Sequence, residues 1–219
     1  MITVARARTA VDLSPGDRAR LREHFRDRHF LRLPGLIEPD LLGEIQRELD
    51  RAEFYERVHP GVGPELCMRR NGVHVTLELL LNDRALVDVI EEVTGCGAIG
   101  SFGGRVYRLA PGTGHHDGWH SDLADHRLVA MSVNLGRAPY QGGLLALRDA
   151  ATRRVLEEVP NVGPGDALVF RLAPGLEHRV TELEGAAPKT AFAGWFHAQP
   201  DFASVLRRGL EPHPGEPAP

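Results

Sequence analysis

Residues 164–197 have the sequence PGDALVFRLAPGLEHRVTELEGAAPKTAFAGWFH. Three short segments rich in valine, leucine, alanine and phenylalanine, 167–172, 178–183 and 190–197, lie between proline- and glycine-containing turns. Short apolar segments separated by such turns at intervals of roughly ten residues are typical of an all-β domain. This part of the chain is therefore predicted to consist of strands.

The same pattern extends back to residue 100, and the residues before it differ in character. Five further strands are predicted at 105–109, 118–121, 129–135, 144–148 and 153–158. Before them, helix-start signals and apolar periodicity predict helices near 14–29, 39–53 and 83–94, whereas 73–79 fits either a strand or a helix. Eight short strands after a helical region favour a mainly β fold, a double-stranded β-helix (a jelly-roll, cupin-like barrel) buttressed by N-terminal helices.

The predicted organisation is a single domain with three regions. Residues 1–99 form a support region of helices and strands, 100–198 form the catalytic core, and 199–219 form a C-terminal helix and a disordered proline-rich tail. The net charge of −4 and the pI near 6.3 give no reason to expect nucleic acid or an anionic membrane as a partner. No apolar run approaches the length of a membrane span, and Cys67 and Cys96 do not form a metal-type pair, so a cytoplasmic location is expected.

Potential metal ligands are concentrated just before the predicted strand at 129–135. His120 and Asp122 are two residues apart, so in a strand both side chains point to one face. His115 and Asp117 have the same spacing, so the spacing alone allows either pair. A third ligand must come from elsewhere, and His178, after a Pro-Gly turn, is the best candidate. Two imidazoles and one carboxylate leave open positions on an octahedral ion, which suits non-haem Fe(II).

Residues 102–198 resemble the Fe(II)/2-oxoglutarate dioxygenases, especially the prolyl-hydroxylase-like and phytanoyl-hydroxylase-like branches. In that family a Pro-Gly turn precedes the His-x-Asp pair by a short loop, and Pro111-Gly112 has that relation to His120. This match selects His120 and Asp122 over the rival pair. The other matching motifs are Asn134-Leu135, Gly142-Gly143-Leu144, Pro164-Gly165-Asp166 before a strand that reaches Phe170, His178-Arg179-Val180, and Lys189 six positions before Trp195-Phe196.

The resemblance implies Fe(II), 2-oxoglutarate and O2 as metal and cosubstrates, and it makes Lys189 the partner of the distal carboxylate of 2-oxoglutarate. Many relatives have a tyrosine beside the Pro-Gly turn that also binds this cosubstrate, but Leu109-Ala110 occupies that position here. Tyr107, Ser132 and Arg105 are candidates for the second contact. Halogenating relatives have a small residue in place of the metal-binding carboxylate, so the presence of Asp122 favours hydroxylation of an unactivated C–H bond.

The substrate is expected to be a small molecule or a peptidyl residue, and the sequence does not give the oligomeric state. The candidate pocket residues are Arg69, Arg70, His116, Trp119, Arg127, Trp195 and His197. Two other classes share these features. A cupin-type metalloenzyme would use the same triad without 2-oxoglutarate, and a non-catalytic metal-binding or sensing barrel would retain only the fold.

Overall fold

The computed structural model describes residues 1–124, 126–161 and 163–207. The helices, numbered in chain order, are α1 (Pro15–Arg28), α2 (Pro39–Leu49), α3 (Gly72–Leu81), α4 (Arg84–Thr94) and α5 (Phe202–Arg207). The strands before residue 110 are β1 (Ile2–Val4), β2 (Thr9–Val11), β3 (Phe30–Leu33), β4 (Phe54–His59), β5 (Gly63–Met68) and β6 (Ser101–Leu109). The later strands are β7 (Asp117–His120), β8 (Arg127–Asn134), β9 (Gln141–Gly142), β10 (Leu145–Asp149), β11 (Val155–Val159), β12 (Ala167–Arg171), β13 (Leu176–Val180), β14 (Leu183–Glu184) and β15 (Lys189–His197).

Two antiparallel sheets form the barrel. The larger has the strand order β3-β12-β8-β15-β6-β5-β4, and the smaller has the order β11-β10-β13-β7. Four of the predicted strands lie in each sheet, and all eight are present. The predicted mainly β fold, a double-stranded β-helix with supporting helices, is confirmed.

The helices cover one face of the larger sheet. Strand β15 alternates, because successive side chains of a strand point to opposite faces. Phe192 and Phe196 are fully buried in the main apolar core, together with Leu77 of α3 and Ile90 of α4. The side chain of Lys189 points to the opposite face of β15, which lines the space between the sheets. The helices therefore supply the core, and the opposite face of the same strand is left for a cavity.

Local signals explain where the helices begin and end. Ser14 caps α1 in a capping box with Asp17, and Asp83 caps α4, which ends at Gly95 in the left-handed conformation. The ambiguous segment 73–79 is helical within α3, which begins after Asn71, whose side chain accepts two backbone N–H hydrogen bonds. Helix α2 ends at Leu49, four residues before the predicted end.

The β4–β5 hairpin was not predicted. Its face that carries Tyr55, Arg57 and His59 looks toward the space between the sheets, so the strand lacks the apolar alternation that marks a half-buried strand. The predicted tail disorder after residue 209 falls outside the described residues. Within the described part of the chain, no helix has the length and apolar character needed to cross a membrane.

Candidate metal centre

Two histidines lie side by side on neighbouring strands of the smaller sheet. His120 at the end of β7 pairs in register with His178 of β13, and the centroids of their rings are 4.2 Å apart. Asp122, two residues beyond His120, lies beside both rings. One carboxylate oxygen is 3.6 Å from Nε2 of His120, and the other is 3.3 Å from Nε2 of His178. The three groups predicted from the sequence therefore converge.

The orientation of His120 leaves one ring nitrogen available to a metal. Its Nδ1 is 2.7 Å from the carbonyl oxygen of Gly118, which can only accept a hydrogen bond. Nδ1 therefore carries the proton in the neutral ring, and the lone pair is on Nε2, which faces Asp122. A metal-binding histidine commonly has its second nitrogen held by a backbone carbonyl in this way. The site fits a divalent cation bound through imidazole and carboxylate groups.

A second carboxylate lies on the other side of the histidine pair. Asp117, His120 and His178 offer ligand atoms that all lie within 4.8 Å of one another. The Asp117 contact is to Nδ1 of His120, at 3.5 Å. Burial raises the pKa of Asp117, and the neighbouring histidines only partly oppose this effect. Burial would also raise the pKa of Asp122, but hydrogen bonds from His178 and Trp195 outweigh it and lower that pKa.

Trp195 and Arg127 fix the position of Asp122. The indole Nε1 of Trp195 donates a hydrogen bond to the carboxylate at 2.9 Å. The Arg127 guanidinium donates to the backbone carbonyl of Asp122 at 3.1 Å, and it lies over the Trp195 ring, 3.7 Å from the centroid. Asp122 lies two residues past the end of β7, so no strand pairing holds it, and these two contacts keep it beside the histidines.

A cavity of about 280 Å³ opens between the sheets beside these groups. Lys189, the only lysine in the chain, lines it and is 3% exposed. Its ammonium group donates to the carbonyl of Gly143 at 2.9 Å and lies 5.6 Å from the centroid of the Tyr140 ring. Burial lowers the pKa of Lys189 to about 8, an effect that the negative charge of Asp117 partly opposes. Within the described ranges, no carboxylate forms an ion pair with this lysine.

Other polar groups in the cavity also lack partners. The hydroxyl of Ser132 and the side-chain carbonyl oxygen of Asn161 are buried, line the cavity and make no hydrogen bond to described residues. Tyr107 lies on the same wall, and burial raises the pKa of its phenol. Unpaired buried polar atoms are rare in proteins, and in a cavity they mark places where a ligand is bound. Asn161 lies in a loop, and no pattern in the sequence predicts its role.

The β4–β5 hairpin forms one wall of the cavity. Backbone N–H groups of Gly118 and His116 donate to the carbonyls of Val62 and Pro64, at 2.8 and 3.3 Å, so the hairpin is tied to β7. Gly118 permits this approach, because a Cβ there would lie 2.7 Å from the Val62 carbonyl oxygen.

Glu65 of the hairpin forms a buried ion-pair cluster on this wall. Arg105 donates two hydrogen bonds to its carboxylate, at 2.6 and 2.9 Å, and the Nε2 atom of His59 lies 2.9 Å from it. Burial opposes ionisation of Glu65, but these partners outweigh it and lower its pKa to about 2.

The cavity brings together nine of the candidate site residues predicted from the sequence and leaves five outside. Those that line it are Arg105, Tyr107, His120, Asp122, Arg127, Ser132, His178, Lys189 and Trp195. Those that do not line it are Arg69, Arg70, His116, Trp119 and His197.

Trp119 and Arg70 illustrate why some of the predicted residues lie elsewhere. Trp119 is adjacent to His120, which faces the cavity, so its ring points the other way and packs against Arg148 and Arg179. Arg70 turns toward α3 and pairs there with the buried carboxylate of Glu78 at 2.6 Å.

Comparisons with known proteins identify a matching family model and structures of similar fold. Residues 104–197 match the model of the 2OG-Fe(II) oxygenase superfamily. No curated protein has a significantly similar sequence. The resemblance predicted from the sequence motifs is confirmed for this segment, and the family is named for the two cofactors that the motifs imply.

Three solved structures have a similar fold. An oxidoreductase of the 2OG-Fe(II) oxygenase family from Burkholderia pseudomallei is 18% identical, with a TM-score of 0.65 over 86% of this chain and 95% of that one. A prolyl-4-hydroxylase from Pseudomonas putida is 16% identical, with a TM-score of 0.64 over 83% and 99%. The non-heme alpha ketoglutarate dependent epimerase SnoN from nogalamycin biosynthesis is 15% identical, with a TM-score of 0.62 over 94% and 96%. Identities this low indicate a common fold.

Proposed function

Since the chain resembles the 2OG-Fe(II) oxygenase superfamily over residues 104–197, we propose that it is an Fe(II)- and 2-oxoglutarate-dependent oxygenase. His120, Asp122 and His178 would hold the metal. Both histidines direct Nε2 toward the carboxylate of Asp122, at 3.6 and 3.3 Å. Two imidazoles and one carboxylate form the ligand set that suits non-haem iron with open positions.

Asp122 is a better third ligand than Asp117 for a geometric reason. Asp117 contacts Nδ1 of His120, the nitrogen that donates a hydrogen bond to the Gly118 carbonyl. A metal on that side would displace the proton and break this hydrogen bond. A metal among Asp122 and the two Nε2 atoms leaves the hydrogen bond intact. Asp117 would then lie beside the centre, where its charge partly opposes the lowering of the Lys189 pKa by burial.

The buried ammonium of Lys189 is the observation that carries the cosubstrate assignment. A buried cation without an anionic partner is costly, and proteins seldom keep one unless a ligand supplies the opposite charge. The distal carboxylate of 2-oxoglutarate would supply it. The unpaired hydroxyl of Ser132 supports the same assignment, because it can donate to a carboxylate oxygen.

The remaining residues position the reactants and keep water out. Fe(II) with 2-oxoglutarate and O2 supplies the oxidation of an unactivated C–H bond, with release of succinate and CO2. Leu168, Phe170 and Val180 form an apolar wall next to the ligands. Trp195 and Arg127 hold Asp122 in place through the contacts described above. The protein thereby fixes both ends of the cosubstrate and leaves the hairpin side of the cavity for the substrate.

We propose hydroxylation as the reaction outcome, because Asp122 occupies the position that a small residue takes in halogenating relatives. One structural neighbour is an epimerase, so products should be analysed for incorporated 18O and for inverted stereocentres.

A small-molecule substrate fits the cavity volume of about 280 Å³ better than a long peptide does. The cytoplasmic location stays a prediction from the sequence.

The test is calorimetric binding of Mn(II) and then 2-oxoglutarate under anaerobic conditions. We expect the wild type to bind both, and Asp122→Ala to lose the metal. Asp117→Ala is the matched control, because it removes the neighbouring carboxylate and should retain the metal. A wild type that bound neither ligand would refute the proposal. Metal binding without 2-oxoglutarate, unchanged by Lys189→Ala, would instead support the cupin-type alternative.

A further inference from the structure

Arg57 is a cation in the cavity for which the proposed function provides no partner. Four cationic and three acidic side chains line the cavity: Arg57, Arg105, Arg127 and Lys189, and Glu65, Asp117 and Asp122. Arg105 pairs with Glu65, Arg127 with Asp122, and Lys189 donates to a backbone carbonyl. Across the described residues, the half-buried Arg57 guanidinium forms no ion pair and no hydrogen bond.

The backbone holds Arg57 on the cavity side. In the β4–β5 ladder it pairs with Glu65, so both side chains point to the same face. On that face, Cys67 pairs with Tyr107 of β6, which places the hairpin and the cavity wall side by side. The loop of the hairpin is bonded to β7 through Val62, as described above. Arg57 is therefore positioned by the pairing of β4 with β5, and β5 is in turn paired with β6.

Glu65 is held by groups other than Arg57. Its two carboxylate oxygens already accept two hydrogen bonds from Arg105, and His59 contacts one of them. Glu65 stays ionised, and Arg105 balances its charge. The lining therefore keeps an excess of one positive charge. Fe(II) and the dianion of 2-oxoglutarate cancel each other's formal charge, so this excess persists in the loaded site.

We propose that Arg57 binds a carboxylate of the substrate, and that the substrate is a small monocarboxylic acid. The inference rests on the proposed function and names the substrate class of that same site. A guanidinium matches a carboxylate through two parallel hydrogen bonds. A single excess charge fits a monoanion better than the dianion of a phosphate monoester. The cavity of about 280 Å³ must also hold the cosubstrate, so the acid that reaches the metal is small.

The experiment uses the full chain loaded with Mn(II) and saturating 2-oxoglutarate, which occupies the Lys189 end. Proton relaxation enhancement by Mn(II) then reports probes that bind near the metal. The probes are butyrate and benzoate, each compared with its primary amide. A blocked tripeptide with a central glutamate, compared with its glutamine twin, tests whether the carboxylate belongs to a peptide instead.

We expect the two acids, and neither amide, to show enhanced relaxation in the wild type. Arg57→Gln should weaken this binding about tenfold or more, since it removes charge-assisted hydrogen bonds. Arg57→Lys should restore part of it. The matched control is Arg47→Gln, the same chemical change at an exposed position of α2 outside the cavity, which should bind the acids as the wild type does.

Three results would overturn the inference: equal enhancement for acids and amides, an unchanged response in Arg57→Gln, or enhancement confined to the glutamate peptide. Each of them leaves the proposed function intact, provided that the same samples bind Mn(II) and 2-oxoglutarate. A wild type that binds neither would refute the proposed function, and that outcome is measured before any probe is added.

Discussion

Lys189→Met removes the ammonium group from the cavity wall and keeps a side chain of similar length. In the absence of ligands we expect the variant to be more stable than the wild type at pH 7, while it loses 2-oxoglutarate binding. The reason is that burial makes the charged form of Lys189 unfavourable in the folded protein. Methionine carries no charge and fills irregular apolar space readily.

The pKa gives the size of the effect. A fall from 10.5 to about 8 on folding corresponds to a penalty of ~3 kcal/mol on the charged form, at 1.36 kcal/mol for each pKa unit. The lost hydrogen bond to the carbonyl of Gly143 offsets about 1 kcal/mol of the gain. The net expectation at pH 7 is a free energy of unfolding raised by about 2 kcal/mol.

The pH dependence has a definite sign. The folded pKa of Lys189 lies below its unfolded value, so between pH 8 and 10.5 the unfolded chain binds more protons than the folded protein. The stability of the wild type relative to Lys189→Met therefore rises with pH across this window. The advantage of the variant is full below about pH 8 and disappears near pH 10.5.

The assay is urea unfolding of both proteins in EDTA at pH 7 and at pH 10. Lys189 is the only lysine, so 13Cε-lysine labelling adds a single side-chain signal whose titration measures the pKa directly. Saturating Zn(II), which is diamagnetic and leaves the lysine signal sharp, together with 2-oxoglutarate should raise that pKa, because a bound carboxylate favours the ammonium form. A variant less stable than the wild type at pH 7, or a lysine signal that titrates near 10.5 in the free protein, would refute the reasoning.

Four further outcomes follow from the same contacts. Asp122→Asn should weaken Mn(II) binding by more than about 100-fold and Asp117→Asn by less than tenfold, measured by calorimetry; equal losses would mean that both carboxylates are ligands. Trp195→Phe removes the hydrogen bond to Asp122 and should weaken Mn(II) about 10- to 100-fold at unchanged unfolding free energy. The affinity for 2-oxoglutarate should fall about tenfold for each pH unit above about 8, as Lys189 loses its proton, whereas a flat profile would exclude this lysine as its partner. Phe192→Ala should cost about 3–5 kcal/mol in urea unfolding, because Phe192 is fully buried between the sheet and the helices.

The barrel strands could be predicted from the sequence because one face of each is apolar and turns separate them. The same rule failed for β4, where Arg57 and His59 occupy the inward face of the strand and no apolar alternation results. A strand that lines a polar cavity lacks the signal by which strands are recognised. The β4–β5 hairpin, which carries the proposed substrate contact Arg57, was therefore not predictable from the sequence.

In the candidate metal site, too, some residues could be placed from the sequence and others could not. The spacing of His120 and Asp122 predicts a common face, and the structure places His178 directly opposite His120 in the neighbouring strand. Trp119 could have been assigned to the outer face by the same alternation, because it lies between Gly118 and His120. Spacing paired Asp117 with His115, whereas its contact with His120 depends on the short strand and on the orientation of one imidazole ring.

The chain has 25 arginines and one lysine, and the lysine is at the place proposed for the distal carboxylate. The guanidinium of an arginine stays charged at every accessible pH, so an arginine buried there would keep its full desolvation cost in the free protein. A buried lysine bears this cost only while it is charged, so the cost fades above its pKa of about 8, and a bound anion favours the ammonium form. The penalty that lowers the stability of the free protein is thus relieved when the cosubstrate binds. A Lys189→Arg variant tests this difference between lysine and arginine. Its affinity for 2-oxoglutarate should not change between pH 7 and pH 10.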